Sequence, residues 1–476
     1  MDAKAILYYL DKFTGSDEYN DYVLSWDYYK GQHDILHRKR EAIGEGGSTT
    51  EVENLPNNQS VDNVFARIAD QKSNYLFGKP VTITTENEQY DDALATVFNK
   101  KFHRTLTALG RESILCGISW LHPYYDDYGK LAFKKIPAYE LCPIWMDSDH
   151  TQLGAGIRQY VTQVYEDGKE KEVTKVEVYT VEGVEKYILN GKDLLPDGTD
   201  PYASLQITYP EGRVETKMFS WGRVPLIPFK SSDMEIPLIR RAKSLQDGIN
   251  LMLSDFQNNM QEDAGNSILV LKNYDGEDLG NFRANLSLYR TVKVRTTDGG
   301  DGGVESLQIE VNGQNYELVL KLLKRALIEN MRGFDSKDDR LGGSPNEMNI
   351  QSAYSDMDLD ANSMETEYQA SFEDLMYFVN IYLANAKLYV VNDEQPEDVS
   401  VMFNRDMLTN ASTIIENCKN SVGLISNRTI IENHPFTMDV TKEIEQMEAE
   451  KQQAMDEMNN YQFMTPQDEE NGEFEQ

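Results

Sequence analysis

Hydrophobic positions along this chain change period several times, and each change marks an element. Over residues 1–40 the aromatic residues Tyr8, Tyr9, Tyr22, Trp26, Tyr28 and Tyr29 fall at helical spacings. A glycine-rich stretch, Gly44–Thr50, then reads as a loop. Residues 60–78 place Val61, Val64, Phe65, Ile68, Ala69, Tyr75 and Leu76 near one helix face, with Ser60 as N-cap and Gly78 as C-cap. Pro80 stops that helix, 81–85 alternates as a strand, and 90–117 returns to helix. From about 130 to 230 the period becomes two, in Leu131–Ile136, Gly156–Tyr165, Val173–Val181, Leu205–Tyr209 and Val214–Trp221. Asp167-Gly168, Glu182-Gly183 and Asn190-Gly191 supply turns that tolerate positive φ, so this region reads as an antiparallel meander.

Long helices follow. Asp233 and Pro237 open one whose apolar residues Leu238, Ala242, Leu245, Ile249, Met252, Phe256 and Met260 step close to a heptad; it stops near Gly265. Residues 266–311 read as a small α/β insert, with strands in SILVLKNY and TVKVRT, a short helix at Asp278–Leu288 and a glycine-rich turn at 298–303. A second helix, about 314–332, carries Tyr316, Leu320, Leu323, Leu327 and Met331 on one face. Lys321, Lys324 or Arg325, Ile328 and Arg332 fall opposite. Gly342-Gly343-Ser344-Pro345 breaks the helical pattern. A third helix, about 349–388, keeps Ile350, Tyr354, Met357, Ala361, Met364, Tyr368, Phe372, Leu375, Val379 and Tyr382 in register. At ~1.5 Å per residue it spans on the order of 55–60 Å. A return strand within 389–404 and helices over 405–460, broken at Gly423 and Pro435, complete the reading.

Charge changes the picture more than composition does. The chain has 476 residues, enough for roughly two to four domains. It carries 80 acidic against 46 basic residues, net -34. That balance argues against an open basic surface gripping nucleic acid. The tail from 441 on has eleven Asp/Glu against Lys442 and Lys451, and 461–476 reads as an acidic, disordered end. Three widely spaced cysteines, Cys116, Cys142 and Cys418, make no metal or disulfide pattern, and neither a secretory leader nor an apolar membrane span is expected. These features suit a fold made in a reducing cytoplasm.

Candidate chemistry is sparse. The sequence has no Walker A, HExxH or GxSxG motif, and its six histidines are scattered. Asp147 and Asp149 could hold a divalent cation, and Asp356, Asp358 and Asp360 mimic the start of a calcium loop with Glu367 at its twelfth position. Ala361 stands where such a loop turns on glycine, and the helical seam runs through the segment, so a solvated helix face is the simpler reading. A carboxylate-dependent metal enzyme acting on nucleic acid is the alternative. No catalytic residue, metal or cofactor is expected under the main reading.

Tyr28-Tyr29-Lys30-Gly31-Gln32-His33-Asp34-Ile35 with Arg38-Lys39-Arg40, and Asn57-Asn58 through Tyr75-Leu76-Phe77-Gly78-Lys79-Pro80-Val81, resemble segments of the portal proteins of tailed bacteriophages. The resemblance is to the branch in long-tailed phages of Gram-positive hosts. Gly117-Ile118-Ser119-Trp120 and Val224–Phe229 are similar to it as well, and the order helix, insert, helix, glycine-rich break, very long helix agrees. The resemblance implies an α+β, portal-like fold. Its parts would be a β-rich wing (1–233), stem helices (234–265 and 312–334), an α/β clip (266–311) and a tunnel loop (335–348). A long wing helix with a return strand (349–404) and a helical crown (405–460) would follow. It implies a ring, commonly of twelve subunits, at one capsid vertex of the virion, assembled in the host cytoplasm without a membrane. Double-stranded DNA would pass through it. Terminase, head–tail connector proteins, capsid and scaffolding proteins would be its partners. On this reading Lys337, Arg340, Lys321, Lys324 and Arg325 are candidates to meet DNA, and Tyr274, Asp275, Asp298 and Asp301 to meet terminase or connector proteins. Twelve copies at -34 each repel, so assembly should depend on salt.

Overall fold

The computed structural model describes residues 1–43, 49–51, 55–166, 168–208, 214–263, 268–272, 303–307, 313–335, 347–392, 397–405, 411–437 and 440–462. The chain forms two compact units, one of Met1–Asp335 with Ser355–Asp406, the other of Ser336–Tyr354 with Met407–Gln476. Both helices and antiparallel sheets are present, a mixed α+β architecture.

The helices of the first unit are α1 (Ala3–Thr14), α2 (Asp17–Tyr29), α3 (Val64–Phe77), α4 (Glu88–Val97), α5 (Lys100–Cys116), α6 (Ile239–Asp263) and α7 (Gly313–Asn330), with α8 (Glu347–Asn385) entering it at Ser355. The helical reading of 1–40 resolves into α1 and α2 because Ser16 starts a new helix, its hydroxyl accepting from Tyr19 N. The reading of 90–117 likewise divides, since Asn99 caps α5 through Lys101 N and Phe102 N. Such caps stabilise a helix by about 1 kcal/mol. At α3 the expected cap Ser60 is wrong: Asn63 caps the helix, accepting from Ala66 N, and Ser60 belongs to an extended approach segment.

The core lies where α3, α5 and α8 meet a three-stranded antiparallel sheet ordered Ile227–Lys230, Ile118–Tyr125, Leu131–Ile136. The central strand escaped the period-two reading. Its first six residues are all buried, so no alternation survives. Gly117 turns the chain from α5 into it with φ 82, and a Cβ there would lie 2.1 Å from Glu235 O. Tyr368 and Phe372 of α8 bring two aromatic rings to this core. Tyr368 lies 5.0 Å from Phe77 and 4.9 Å from Phe229 between centroids, and Phe372 6.0 Å from Phe102. The buried Tyr368 hydroxyl meets Ser113 Oγ at 2.8 Å.

The expected meander divides. Gly156–Tyr165 and Val173–Val181 fall in a five-stranded antiparallel sheet running Leu141–Trp145, Leu153–Glu166, Lys169–Tyr179, Val184–Asn190 and Asp193–Asp200 in sequential order, whereas Leu131–Ile136 belongs to the three-stranded sheet, and Ala203–Thr208 pairs with Val214–Phe219 as a separate hairpin. Gly168 (φ 77) and Gly191 (φ 63) take the turn positions assigned to them. The inner face of the five-stranded sheet, Cys142, Ile157, Val176 and Val178, packs on Ile6 and Leu10 of α1. The strands at Thr82–Thr85 and Val399–Met402, more than 300 residues apart, pair with each other. Within the insert, Ile268–Lys272 pairs with Gly303–Leu307. The expected strand TVKVRT and the helix 278–288 lie outside the described residues.

The second unit contains α9 (Ala411–Asn420), α10 (Asn427–Glu432) and α11 (Val440–Gln462). Gly423, with φ 85, sits in the turn between the first two, as its break signal implied.

Candidate functional site

The α6–α7 hairpin carries three of the candidate DNA-contacting residues. Tyr316, Leu320, Leu323, Leu327 and Met331 form the inward face of α7 as expected, with burial complete at Leu327 and Met331. Ile328, assigned to the opposite face, is buried as well. It is apolar, and where α7 runs in beside α3 the covered face is wide enough to take it. Lys324 reaches Asp62 at 2.5 Å and ties α7 to the segment before α3. Lys321 and Arg325 make intrahelical pairs with Glu317 (2.7 Å) and Glu329 (2.9 Å) on the exposed side. Leu318 and Leu322 share that side at 59% and 58% exposure, and Leu251 of α6 is 42% exposed. Lys337 and Arg340, and the docking candidates Tyr274, Asp275, Asp298 and Asp301, lie outside the described residues.

What holds α6 in place is polar. Gln246, Asn250, Ser254 and Asn258 are all fully buried, four residues apart. Asn58 N donates to Asn258 Oδ1 (2.8 Å), Ser60 N to Ser254 Oγ (3.0 Å) and Asp62 N to Asn250 Oδ1 (3.1 Å). Four helical residues rise about 6 Å and two extended residues about 6.6 Å, so every second amide meets every fourth side chain. Phe65 N, an otherwise orphaned amide in the first turn of α3, donates to Gln246 Oε1 at 3.0 Å.

The residues that carried the family resemblance converge on the same row. Asp62 N fixes Asn250 with its oxygen toward the segment, leaving its Nδ2 to donate to His33 Nδ1 at 2.8 Å. His33 Nε2 then donates to Tyr28 O at 3.0 Å, so the ring is the neutral Nε2–H tautomer. Burial pushes its pKa down and reinforces that state. Tyr28 stacks on His33 at 4.3 Å, and its hydroxyl donates to Asp247 at 2.5 Å. Asn63 donates back to Tyr28 O. Apolar periodicity passes over this row, since none of its four side chains is apolar. The i, i+4 run Gln, Asn, Ser, Asn was the available signal.

The acidic clusters are engaged elsewhere. Asp147 closes a turn, accepting from Thr151 N, Thr151 Oγ1 and Gln152 N, and the Thr151 hydroxyl and these amides bring its pKa down to about 2. Asp149 accepts from Ser148 Oγ. Asp356, Asp358 and Asp360 lie on α8, a continuous helix and not a calcium loop. Asp358 accepts from Tyr75 (2.5 Å) and Arg405 (2.7 Å). Asp360 pairs with Lys72, Arg332 and Arg241. Among the described residues no group of three or more His, Cys, Asp and Glu side chains converges to hold a metal. No described helix is long and apolar enough to cross a membrane.

Comparison with known proteins matches these features to one family. The profile described as "Phage portal protein, SPP1 Gp6-like" covers residues 15–457. The portal protein of Bacillus phage SPP1 is 26% identical over 434 residues, covering 90% of this chain and 82% of that protein. The portal protein of Clostridium phage phiCD119 is 25% identical over 450 residues, covering 91% and 94%. Proteins of this kind are virion components with a structural and not a catalytic role. The chain belongs to the SPP1 Gp6-like family of phage portal proteins, the oligomeric rings that form the DNA packaging and ejection channel at a capsid vertex.

Proposed function

We propose that this chain closes into a twelve-subunit ring through its α6–α7 hairpin, with Leu318 and Leu322 of one subunit covered by the neighbouring copy. The supporting observation is the apolar stripe left exposed on α7 of the lone chain. A head-to-tail contact whose rotation closes gives a ring, and exposed apolar stripes of this kind mark interaction faces. In this reading 1–233 is wing, 234–265 and 312–334 are stem, 266–311 is clip, 335–348 is tunnel loop, 349–404 is the long wing helix with its return strand, and 405–460 is crown.

The charge pattern suits sliding. Strong phosphate binding would stall DNA, and the hairpin's cations are already balanced by Glu317, Glu329 and Asp62. Lys321 and Arg325 face the channel weakly, and Lys337 and Arg340 of the loop make transient phosphate contacts. Tyr274, Asp275, Asp298 and Asp301 on the clip dock terminase during packaging and the connector proteins afterwards. Capsid and scaffolding proteins hold the ring at its vertex.

Mass photometry across salt concentrations, followed by negative-stain imaging, tests the ring. Closed particles of twelve copies that require salt are expected. A monomer at every salt concentration would overturn the proposal. Shortening 338–345 should leave rings intact and impair DNA packaging or retention; normal titre with a full genome would remove the loop from the mechanism. Changes across 274–303 should lose terminase or connector docking before they affect assembly.

A further inference from the structure

A cleft of about 220 Å³ opens between α3, α6, the end of α7 and α8, and nothing in the channel function uses it. Three cations from three different elements enter it: Lys72, Arg241 and Arg332. All share the one carboxylate of Asp360, at 2.5, 3.6 and 2.6 Å. Among the described residues Asp233 is the other acidic one lining the cleft, so three positive charges there face two negative ones in a chain that is otherwise strongly acidic. Lys72 is buried, and burial pushes its pKa down. Asp360 pulls it back, and Arg241 and Arg332 push it down again, the sign of cations that repel one another.

Donors remain unused. The Arg241 guanidinium makes no hydrogen bond to another described residue, and Arg332 uses only Nη1. The cleft is also lined by Ser232 and Ser363. A cleft of about 220 Å³ has room for a tetrahedral oxyanion.

The backbone at Arg332 is built for this position. Arg332 N donates to Glu329 O and Gly333 N to Ile328 O, the two bonds of a Schellman helix end. The residue between helix and glycine must be left-handed there, a place that favours Gly or Asn, yet Arg332 holds it with φ 50. That strain carries its guanidinium back over α8 to Asp360.

We propose that this cleft is an oxyanion site, taking a phosphate group on the guanidinium forks of Arg241 and Arg332 with Lys72 as the buried point charge. Paired guanidinium groups match the several acceptor oxygens of phosphate better than the two of a carboxylate. The group can be free inorganic phosphate or a phosphodiester of DNA, and the proposal does not depend on ring assembly.

The test uses the full chain at constant ionic strength, titrated with inorganic phosphate against chloride, reading melting temperature and calorimetric affinity. Phosphate should raise the melting temperature. Arg241→Gln and Arg332→Gly should each weaken its affinity at least tenfold, and Lys192→Gln, at an exposed turn far from the cleft and the hairpin, should change nothing. Arg332→Gly relieves the left-handed backbone, so it keeps the fold. A labelled 20-base-pair duplex, read by anisotropy, separates the sources. Binding that phosphate competes away and R241Q weakens assigns the site to DNA; indifference assigns it to the free ion. No phosphate-specific shift in the wild type, or shifts in R241Q and R332G as large as that of the wild type, would overturn the proposal. So would loss of rings in R241Q without any phosphate effect, which would make the cleft a seat for a neighbouring subunit's carboxylate.

Discussion

The long helices α6 and α8 read alike in sequence, each with an apolar residue every three or four positions. α8 buries that row against other side chains, from Met357 through Tyr368 and Phe372 to Val379. α6 does so only in its first turns. Beyond Ile249 it buries Ser254 and Asn258, while Leu251 and Met260 are exposed. The difference lies in what packs against each helix. α8 meets rings and aliphatic chains, whereas α6 meets the apolar face of α7 on one side, Phe256 lying 5.0 Å from Tyr316 between ring centroids, and on another the bare backbone of residues 58–62, whose amides need acceptors. Apolar periodicity therefore identifies a helix and its amphipathicity, but not the chemistry of its buried side.

The sharpest way to break this comparison is Phe372→Ala in α8, which should cost about 3–5 kcal/mol in denaturant unfolding. A loss under about 1 kcal/mol would mean that the aromatic cluster collapses around the gap and is no rigid core. His122 is a buried polar group packed against Tyr124 and Tyr179, with Lys134, Glu177 and Arg158 close enough to act on it, its Nδ1 donating to Pro225 O at 2.7 Å. Burial lowers its pKa to about 4, so the folded chain keeps it neutral while the unfolded chain charges it below ~6.5. Stability should be level above ~6.5 and fall on the order of 3 kcal/mol as pH drops to about 4. His122→Gln should remove its share of that fall in a pH series of melts, leaving the share of His33, whose pKa burial also lowers.

Asn250→Leu then tests the polar row. By hydrophobic pattern it looks like an improvement, yet it strips acceptors from Asp62 N and a donor from His33, and should cost about 1–3 kcal/mol. Neutral or increased stability would show that the row is dispensable. The smallest effect on the lone chain belongs to Leu322→Gln, within about 0.5 kcal/mol of wild type at an exposed site. Its ring yield by mass photometry should nevertheless fall well below that of the wild type.

Much of the fold was legible. Periodicity placed α3, α6, α7 and α8, and Asn190-Gly191 and its counterparts placed the turns of the meander. The central strand Ile118–Tyr125 was not legible, because burial on both sides leaves no alternation to read. Nor was the exclusion of the acidic clusters complete. Ala361 and the helical seam argued against a calcium loop, but only the structure shows Asp358 and Asp360 consumed by Arg405, Lys72 and Arg332.

The sequence by itself determined the α+β class, the absence of known nucleotide-hydrolysis motifs, the acidic balance and the run of long helices around a small insert, since each depends on local spacing or summed composition. Only the tertiary structure decided that Thr82–Thr85 pairs with Val399–Met402, that residues 58–65 lie along Gln246, Asn250, Ser254 and Asn258, and that Lys72, Arg241 and Arg332 meet at Asp360. Those are contacts between segments tens to hundreds of residues apart. They form because a buried amide or charge must find a partner wherever the fold brings one, and local spacing carries no record of where that is.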